Sequence, residues 1–259
     1  MVEQVIRKME EADLVLVGIG EELDVFSCVE KDEGYLERAL KTKKSKNEWM
    51  LPFLRKETAE SREKEKAGIY EALASCLAGK NYFIVSLCQD GLLERSGIDQ
   101  GRMVSPCGSY EQLQCSKKCS TELYPVPRGL IGQIETFLHT GQEGDRPREP
   151  LCPRCGSSLV FNNADAADYV EEGYLGGWNR YKKWLQGTVN RKLCILELGV
   201  GMKYPTVVRW PFEKITFFNQ KAELFRVHEK LYQVAEEISG RACGICQKPE
   251  EFLMELCLK

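Results

Sequence analysis

Apolar stretches of two kinds alternate along much of the chain. Apolar residues recur at helical spacing over 2–12, which predicts an amphipathic helix. The uninterrupted apolar run at 14–17 predicts a buried strand, and it leads into the turn Gly18-Ile19-Gly20. A buried strand that leads into a glycine turn is typical of nucleotide-binding α/β folds.

The same alternation continues toward the carboxyl terminus. Segments 82–87 and 193–198 predict two more buried strands, the second of which ends in the turn Gly199-Val200-Gly201. Residues 215–218 predict a fourth strand, and 222–238 predict a terminal helix. Strands that alternate with helices favour an α/β fold with a parallel sheet covered on both faces.

The carboxyl ends of these strands are the expected ligand-binding edge, because ligands of open parallel sheets bind there. The candidate residues at this edge are Gly18, Cys88, Gly199 and Asn219.

Two ranges interrupt the pattern and predict a smaller inserted unit. Residues 29–66 carry a basic run and a mixed-charge stretch around one apolar patch, which favours a helical insertion. Residues 111–156 contain two close cysteine pairs, which indicate a metal-binding module. The remaining ranges form the predicted nucleotide-binding domain: 1–28, 67–110 and 157–259.

Length and charge exclude several classes of function. A chain of 259 residues suits one large domain with a smaller insert, and its net charge of -3 excludes the basic field of sequence-independent nucleic-acid binding. No apolar run approaches the ~20 residues that span a bilayer, and the acidic N-terminal segment does not resemble a signal peptide. We therefore expect a cytoplasmic protein without a nucleic-acid or membrane partner.

The two cysteine pairs have the chemistry of a zinc site. Cys115 and Cys119 form one pair, and Cys152 and Cys155 form the other. Four thiolates match tetrahedral zinc and leave no position for water, so the predicted metal is structural. Four unrelated buried or redox cysteines are the alternative, which this spacing disfavours.

A third pair, Cys243 and Cys246, follows the predicted terminal helix with no second pair nearby. It is interpreted as a loose pair in the tail, with a redox role as the alternative. It is therefore not assigned to the metal site.

The order of these motifs resembles that of the sirtuins, the NAD-dependent protein deacylases, over nearly the whole chain. The family's G-A-G-I-S phosphate loop corresponds to 18–22, where Ile19 and Glu22 replace the small residue and the hydroxyl residue. The family's G-T-S turn corresponds to 199–201, and Asn219 corresponds to a contact with the adenosine ribose. The resemblance implies a Rossmann-type parallel sheet with an inserted zinc ribbon and helical lobe, and NAD as a ligand.

The catalytic side of the resemblance is weaker. The family's Q-N-I-D motif corresponds to 87–90, which keeps Asp90 for the nicotinamide carboxamide but has Cys88 in place of asparagine. The catalytic His-Gly corresponds to Cys107-Gly108. The macrodomain-linked microbial sirtuins also lack this histidine, and they transfer ADP-ribose to a protein. The segments that resemble this branch are 108–115, 198–205 and 209–212.

Deacylation in this family needs a base, which a neutral imidazole supplies near pH 7. His139 and His228 are the two histidines of the chain, and both are interpreted as solvated surface residues away from the base position. Cys107 stands in that position, either as a base or nucleophile with a lowered pKa or as an unreactive replacement. Cys88 is a weaker catalytic candidate, and a disulfide between the two is conceivable. Any reaction is therefore expected to be ADP-ribosyl transfer.

Glu21 and Glu22 are the principal obstacle to nucleotide binding. A like charge 4 Å away costs as much as ~4 kcal/mol at a surface-like dielectric, roughly a thousandfold in affinity. Both side chains could instead point outward and cap the following helix. The leading hypothesis is binding of NAD or ADP-ribose with transfer to a protein acceptor. The alternative is a catalytically dead sensor or a protein-binding scaffold.

Overall fold

The computed structural model describes residues 1–257, apart from the side chains at positions 65 and 67, so the last two residues of the predicted range 157–259 lie outside it. The main strands are β1 (Leu14–Ile19), β2 (Tyr82–Ser86), β3 (Met103–Val104), β7 (Leu193–Leu198), β8 (Ala222–Val227) and β9 (Ala242–Ile245). They form one six-stranded sheet in the order β3-β2-β1-β7-β8-β9, and every pair is parallel. The predicted α/β fold with a parallel sheet is confirmed.

Helices cover both faces of this sheet. One face carries α1 (Val2–Glu11), α4 (Glu63–Leu77) and α9 (Pro249–Cys257). The other carries α7 (Glu172–Gln186) and α8 (Arg209–Phe218), and the short helix α5 (Leu92–Arg95) follows β2. Alternate residues of β1 enter the two opposite cores, so both faces of this strand are buried. This explains why its sequence is continuously apolar instead of alternating.

The carboxyl-terminal part of the sheet differs from the prediction in two places. Residues 215–218 belong to α8, and Phe218 is 78% exposed, so this apolar run does not mark a buried strand. Residues 222–227 form β8 instead of opening a terminal helix. Arg226 of β8 is buried and pairs with Glu197 of β7 at 2.6 Å. The strand was hard to recognise because its charges are neutralised inside the fold.

The inserted unit combines a small sheet with a helical lobe. Strands β4 (Gly108–Cys115), β5 (Tyr124–Pro125) and β6 (Leu159–Asn163) form an antiparallel sheet in the order β5-β4-β6. The lobe contains α2 (Glu33–Lys44), α3 (Leu51–Glu60) and α6 (Leu130–Thr140). Phe53 of α3 packs on Phe161 of β6, with ring centroids 4.9 Å apart. The small sheet therefore extends past the predicted range 111–156, and the domain boundaries stay predictions.

Two cysteine pairs outside the module differ from expectation. Cys243 lies in the edge strand β9 and Cys246 follows it, so this pair is not in a loose tail. Cys76 of α4 and Cys257 of α9 form a disulfide that the sequence pattern did not indicate. Within residues 1–257, no helix is both long and apolar enough to cross a membrane.

Candidate functional site

Two glycine turns meet at the carboxyl edge of the main sheet. The first follows β1, and the second follows the neighbouring strand β7. The amide of Gly20 donates a hydrogen bond to the carbonyl of Leu198 at 2.8 Å. A Cβ atom at Gly20 would collide with the backbone of Gly199 and Val200, so the contact requires glycine. The structure therefore brings the predicted residues of both turns together.

Glu21 and Glu22 lie against the second turn instead of pointing outward as helix caps. Glu21 Oε1 accepts a hydrogen bond from the amide of Lys203 at 3.2 Å. Glu22 Oε1 lies 3.3 Å from Nε2 of His228. Burial, followed by repulsion from Glu250, raises the pKa of Glu22 above its usual range. The carboxylate of Glu21 thus accepts a backbone hydrogen bond at the turn, and the carboxylate of Glu22 lies close to His228.

His228 follows β8 at this same edge, and it is buried, so the predicted surface position is wrong. Its Nδ1 accepts hydrogen bonds from the amides of Lys230 and Leu231, which places the ring proton on Nε2. Burial, followed by the charge of Arg209, lowers the pKa of His228, so the ring is neutral at pH 7. The 3.3 Å between Nε2 and Oε1 brings the ring close to Glu22 without a hydrogen bond between the two side chains. Because Nδ1 accepts two backbone hydrogen bonds and Nε2 carries the ring proton, His228 is not a free general base.

Two buried aspartates join the loop after β1 to the loop after β2. Asp24 Oδ2 accepts a hydrogen bond from the amide of Gln89 at 2.7 Å, and Asp90 Oδ2 accepts one from the amide of Val25 at 3.2 Å. Asp90 Oδ1 also accepts one from the amide of Leu92. Burial, followed by the charge of Asp24, raises the pKa of Asp90 to about 7. Asp90 therefore has a structural role in its turn, and its contact with nicotinamide stays a prediction.

Cys107 and Cys88 are buried, unpaired thiols near this edge, and they do not form a disulfide with each other. Burial, followed by the charge of Glu21, raises the pKa of Cys107 to about 12. Burial, followed by the charge of Asp90, raises the pKa of Cys88 well above its usual value. A neutral thiol is a poor base and a poor nucleophile at pH 7. The geometry therefore favours the interpretation of Cys107 as an unreactive replacement.

A cavity of about 190 Å³ opens beside Glu21, between the main sheet and the helical lobe. Glu21 Oε2 and Arg55 Nε are buried there without a hydrogen-bond partner among the described residues. Small-molecule sites typically measure ~300–1,000 Å³, so this cavity suits one end of a nucleotide. Its charged lining residues are Glu21, Asp24, Glu30, Arg55 and Lys203. The sequence did not single out Arg55 or Lys203, because isolated basic residues in charged segments are common.

The described arrangement does not fit a whole NAD molecule. The cavity is small, and the side chains of Glu21 and Glu22 lie on the turn beside which a pyrophosphate would have to bind. Entry of a dinucleotide therefore requires these two side chains to move.

Asn219 does not join the other predicted residues. It ends α8, and its Nδ2 donates hydrogen bonds to the carbonyls of Thr188 and Arg191, which precede β7. It therefore lies at the opposite, amino-terminal edge of the sheet, away from any ribose bound beside the glycine turns. The false strand at 215–218 caused this error, and the false helix that followed it concealed His228. His139 is exposed, as predicted.

The four predicted metal ligands meet in the inserted unit. The Sγ atoms of Cys115, Cys119, Cys152 and Cys155 all lie within 4.8 Å of one another. The Cys115–Cys155 pair is separated by 3.5 Å and the Cys119–Cys152 pair by 3.6 Å. Zinc–sulfur bonds of ~2.3 Å in a tetrahedron separate the sulfurs by roughly 3.8 Å, so this donor set fits zinc.

Solved sirtuin structures share this fold, whereas no family model matches the chain. Sir2Tm bound to a propionylated peptide has a TM-score of 0.58 at 14% identity, over 98% of this chain and 96% of that one. A Sir2 homologue in complex with NAD has a TM-score of 0.57 at 16% identity, over 99% and 92%. The chain is therefore sirtuin-like in fold, as its motifs predict.

Two curated proteins are similar to the chain in sequence. A protein ADP-ribosyltransferase of Staphylococcus aureus is 25% identical over 186 residues, or 69% of this chain and 56% of that protein. A probable bifunctional ADP-ribose hydrolase/ADP-ribosyltransferase of Fusarium oxysporum f. sp. cubense is 29% identical over 154 residues, or 58% and 26%. The chain thus spans only about half, and about a quarter, of the length of these relatives.

Proposed function

We propose that this chain binds NAD or ADP-ribose at the carboxyl edge of its main sheet. The contact between the two glycine turns carries the proposal, because it places both at the edge where open parallel sheets bind ligands. Sirtuin-fold neighbours solved with NAD and with 2'-O-acetyl ADP-ribose support the same class of ligand. Zinc in the four-cysteine cluster would hold the inserted unit together.

The reaction that we propose is transfer of ADP-ribose from NAD to a nucleophilic side chain of a protein acceptor, with release of nicotinamide, not deacylation of lysine. The two curated relatives with ADP-ribosyltransferase names support this choice. Within the described residues, neither Cys107 nor His228 offers a free base of the kind that deacylation needs. A protein acceptor and a cytoplasmic location remain predictions.

Calorimetric titration of the zinc-loaded protein with NAD and, separately, with ADP-ribose tests the binding. We expect saturable binding of at least one ligand at submillimolar concentration. Absence of binding of both ligands at millimolar concentration, by wild type and by folded variants in which Glu21 and Glu22 are neutralised, would overturn the proposal. Incubation with NAD labelled in its ADP-ribose part and a cell extract, beside the extract alone, then separates transfer from binding. Transfer by this protein adds labelled protein that the extract alone does not form.

A second candidate is a sirtuin-shaped sensor or scaffold without NAD turnover. The carboxylates on the second glycine turn favour it, because they place negative charge where a nucleotide phosphate would have to bind. ADP-ribose binding without any labelled protein would support the sensor, and loss of all nucleotide binding would support the scaffold.

A further inference from the structure

We propose that Glu21 and Glu22 form an internal anion lock, in which the carboxylate of Glu21 occupies a backbone donor at the second glycine turn and the carboxylate of Glu22 covers His228 beside it. The inference rests on the proposed function, because it concerns entry of NAD or ADP-ribose at the same edge. It identifies two residues that control that entry from within the chain.

Glu21 forms the first half of the lock. Its Oε1 lies 2.6 Å from the place that a Cβ atom would take at Gly201, so the carboxylate lies directly on the turn. The same oxygen accepts the amide hydrogen of Lys203 at 3.2 Å. A backbone amide in a loop after a strand is the kind of donor that binds phosphate in open α/β sheets. Here an internal carboxylate already uses it.

Glu22 forms the second half, on the other side of the turn. Its Cβ lies 2.9 Å from the place that a Cβ atom would take at Gly199. Its Oε1 faces Nε2 of His228 at 3.3 Å. The amides that bond Nδ1 of His228 fix the proton on Nε2, and the carboxylate lies beside this donor. Glu22 therefore covers the donor that follows β8.

The lock has two effects on an incoming phosphate. The phosphate must displace the Glu21 carboxylate from the Lys203 amide and the Glu22 carboxylate from its place beside His228. It also meets like charge until the carboxylates move away. Both effects weaken the binding of every nucleotide that carries a pyrophosphate. Displacement of the two carboxylates leaves the fold intact, because the contact between the two turns is made by backbone atoms.

The test measures the affinities of wild type, Glu21→Gln, Glu22→Gln and the double variant for NAD and ADP-ribose by calorimetry. Glutamine keeps the shape and removes the charge, whereas Glu21→Ala with Glu22→Ala also frees the donors. Glu10→Gln is the matched control, because Glu10 is exposed at the end of α1, which leads into the amino end of β1, and it loses the same charge away from the carboxyl edge. Zinc content and thermal midpoints are measured for every protein, so that an unfolded variant is recognised.

We expect each glutamine variant to bind about tenfold more tightly than wild type, and the double variants about a hundredfold more tightly. The control should bind like wild type. Equal binding by wild type and all variants would overturn the lock and leave the proposed function intact. A gain in the control as large as in Glu22→Gln would also overturn it, because general charge would then explain the effect. No binding by any folded protein would overturn the proposed function itself.

Discussion

The zinc module and the carboxyl edge of the sheet differ in what they leave available to a ligand. In the module, four thiols converge within 4.8 Å of one another and can all bind a single ion. At the edge, Glu21 already accepts the amide hydrogen of Lys203 beside the second turn, and Glu22 lies against His228. The comparison shows that shape and ligand chemistry are separable. Backbone contacts between the glycine turns preserve the sirtuin-like edge even where two carboxylates lie on it.

Removal of one metal ligand should produce the largest effect, because it breaks the better-formed site of the two. Cys152→Ala should lose stoichiometric zinc and lower the free energy of unfolding by about 4 kcal/mol or more, since metal binding is coupled to folding. Zinc analysis by mass spectrometry and urea unfolding measure both. Cys246→Ala is the matched control, because this exposed cysteine lies outside the cluster. Full zinc content in Cys152→Ala would show that the cluster is not the metal site.

The next largest effect concerns the backbone contact between the two glycine turns at the carboxyl edge of the sheet. Gly20→Ala should lower the free energy of unfolding by about 3 kcal/mol, because its Cβ would collide with the backbone of Gly199 and Val200. Gly68→Ala is the control, since this helical glycine has open space around its Cβ position. The control should gain roughly 0.5–1 kcal/mol. Equal stability of the two variants would mean that the turns are not held by this contact.

A third test concerns the buried carboxyl group of Asp90 near this edge. The folded state raises the pKa of Asp90 to about 7, whereas an unfolded aspartate titrates near ~3.9. The folded state therefore holds a proton that the unfolded state has lost, and stability falls as the pH rises from about 4 to 7. Between pH 6 and pH 7.5 this amounts to about 1 kcal/mol.

Urea unfolding of wild type and Asp90→Asn at several pH values, with zinc in excess, measures this slope. Asp90→Asn should be flatter than wild type over that interval, although it loses one backbone hydrogen bond at every pH. Identical slopes would assign the titration to another group. His228 works in the opposite direction, because its lowered pKa removes stability as the pH falls.

The same comparison explains which features the sequence could predict. Metal ligands are fixed by residue type and spacing, so the four cysteines were found directly. The strands at 14–19 and 193–198 were also found, because both faces of each are buried and their sequences are apolar apart from Glu197. Strand β8 was missed because Arg226 is neutralised by Glu197 across the sheet, a pairing that only the fold reveals. Because this strand was missed, Asn219 was assigned to the wrong edge of the sheet, and the position of His228 at the carboxyl edge was not recognised.

The directions of the Glu21 and Glu22 side chains could not be predicted from the sequence, for a different reason. Whether Glu21 and Glu22 point outward or onto the second turn depends on where the loop after β7 and the residue after β8 come to lie. These partners are distant in the chain, and no local pattern encodes their position. The sequence therefore allowed two alternatives for these side chains and gave no basis for choosing between them.

The smallest expected effect concerns Cys107, the residue at the position of the missing histidine. Its thiol is buried and its pKa is raised to about 12, so it should react with iodoacetamide at least about tenfold more slowly than the exposed Cys246. Cys107→Ser should change nucleotide affinity, and any transfer of ADP-ribose, by less than about twofold. Mass spectrometry of alkylated peptides and the labelled-NAD assay measure the two effects. Rapid alkylation of Cys107 together with loss of transfer in Cys107→Ser would show an activated thiol. That result would contradict the raised pKa of this buried thiol.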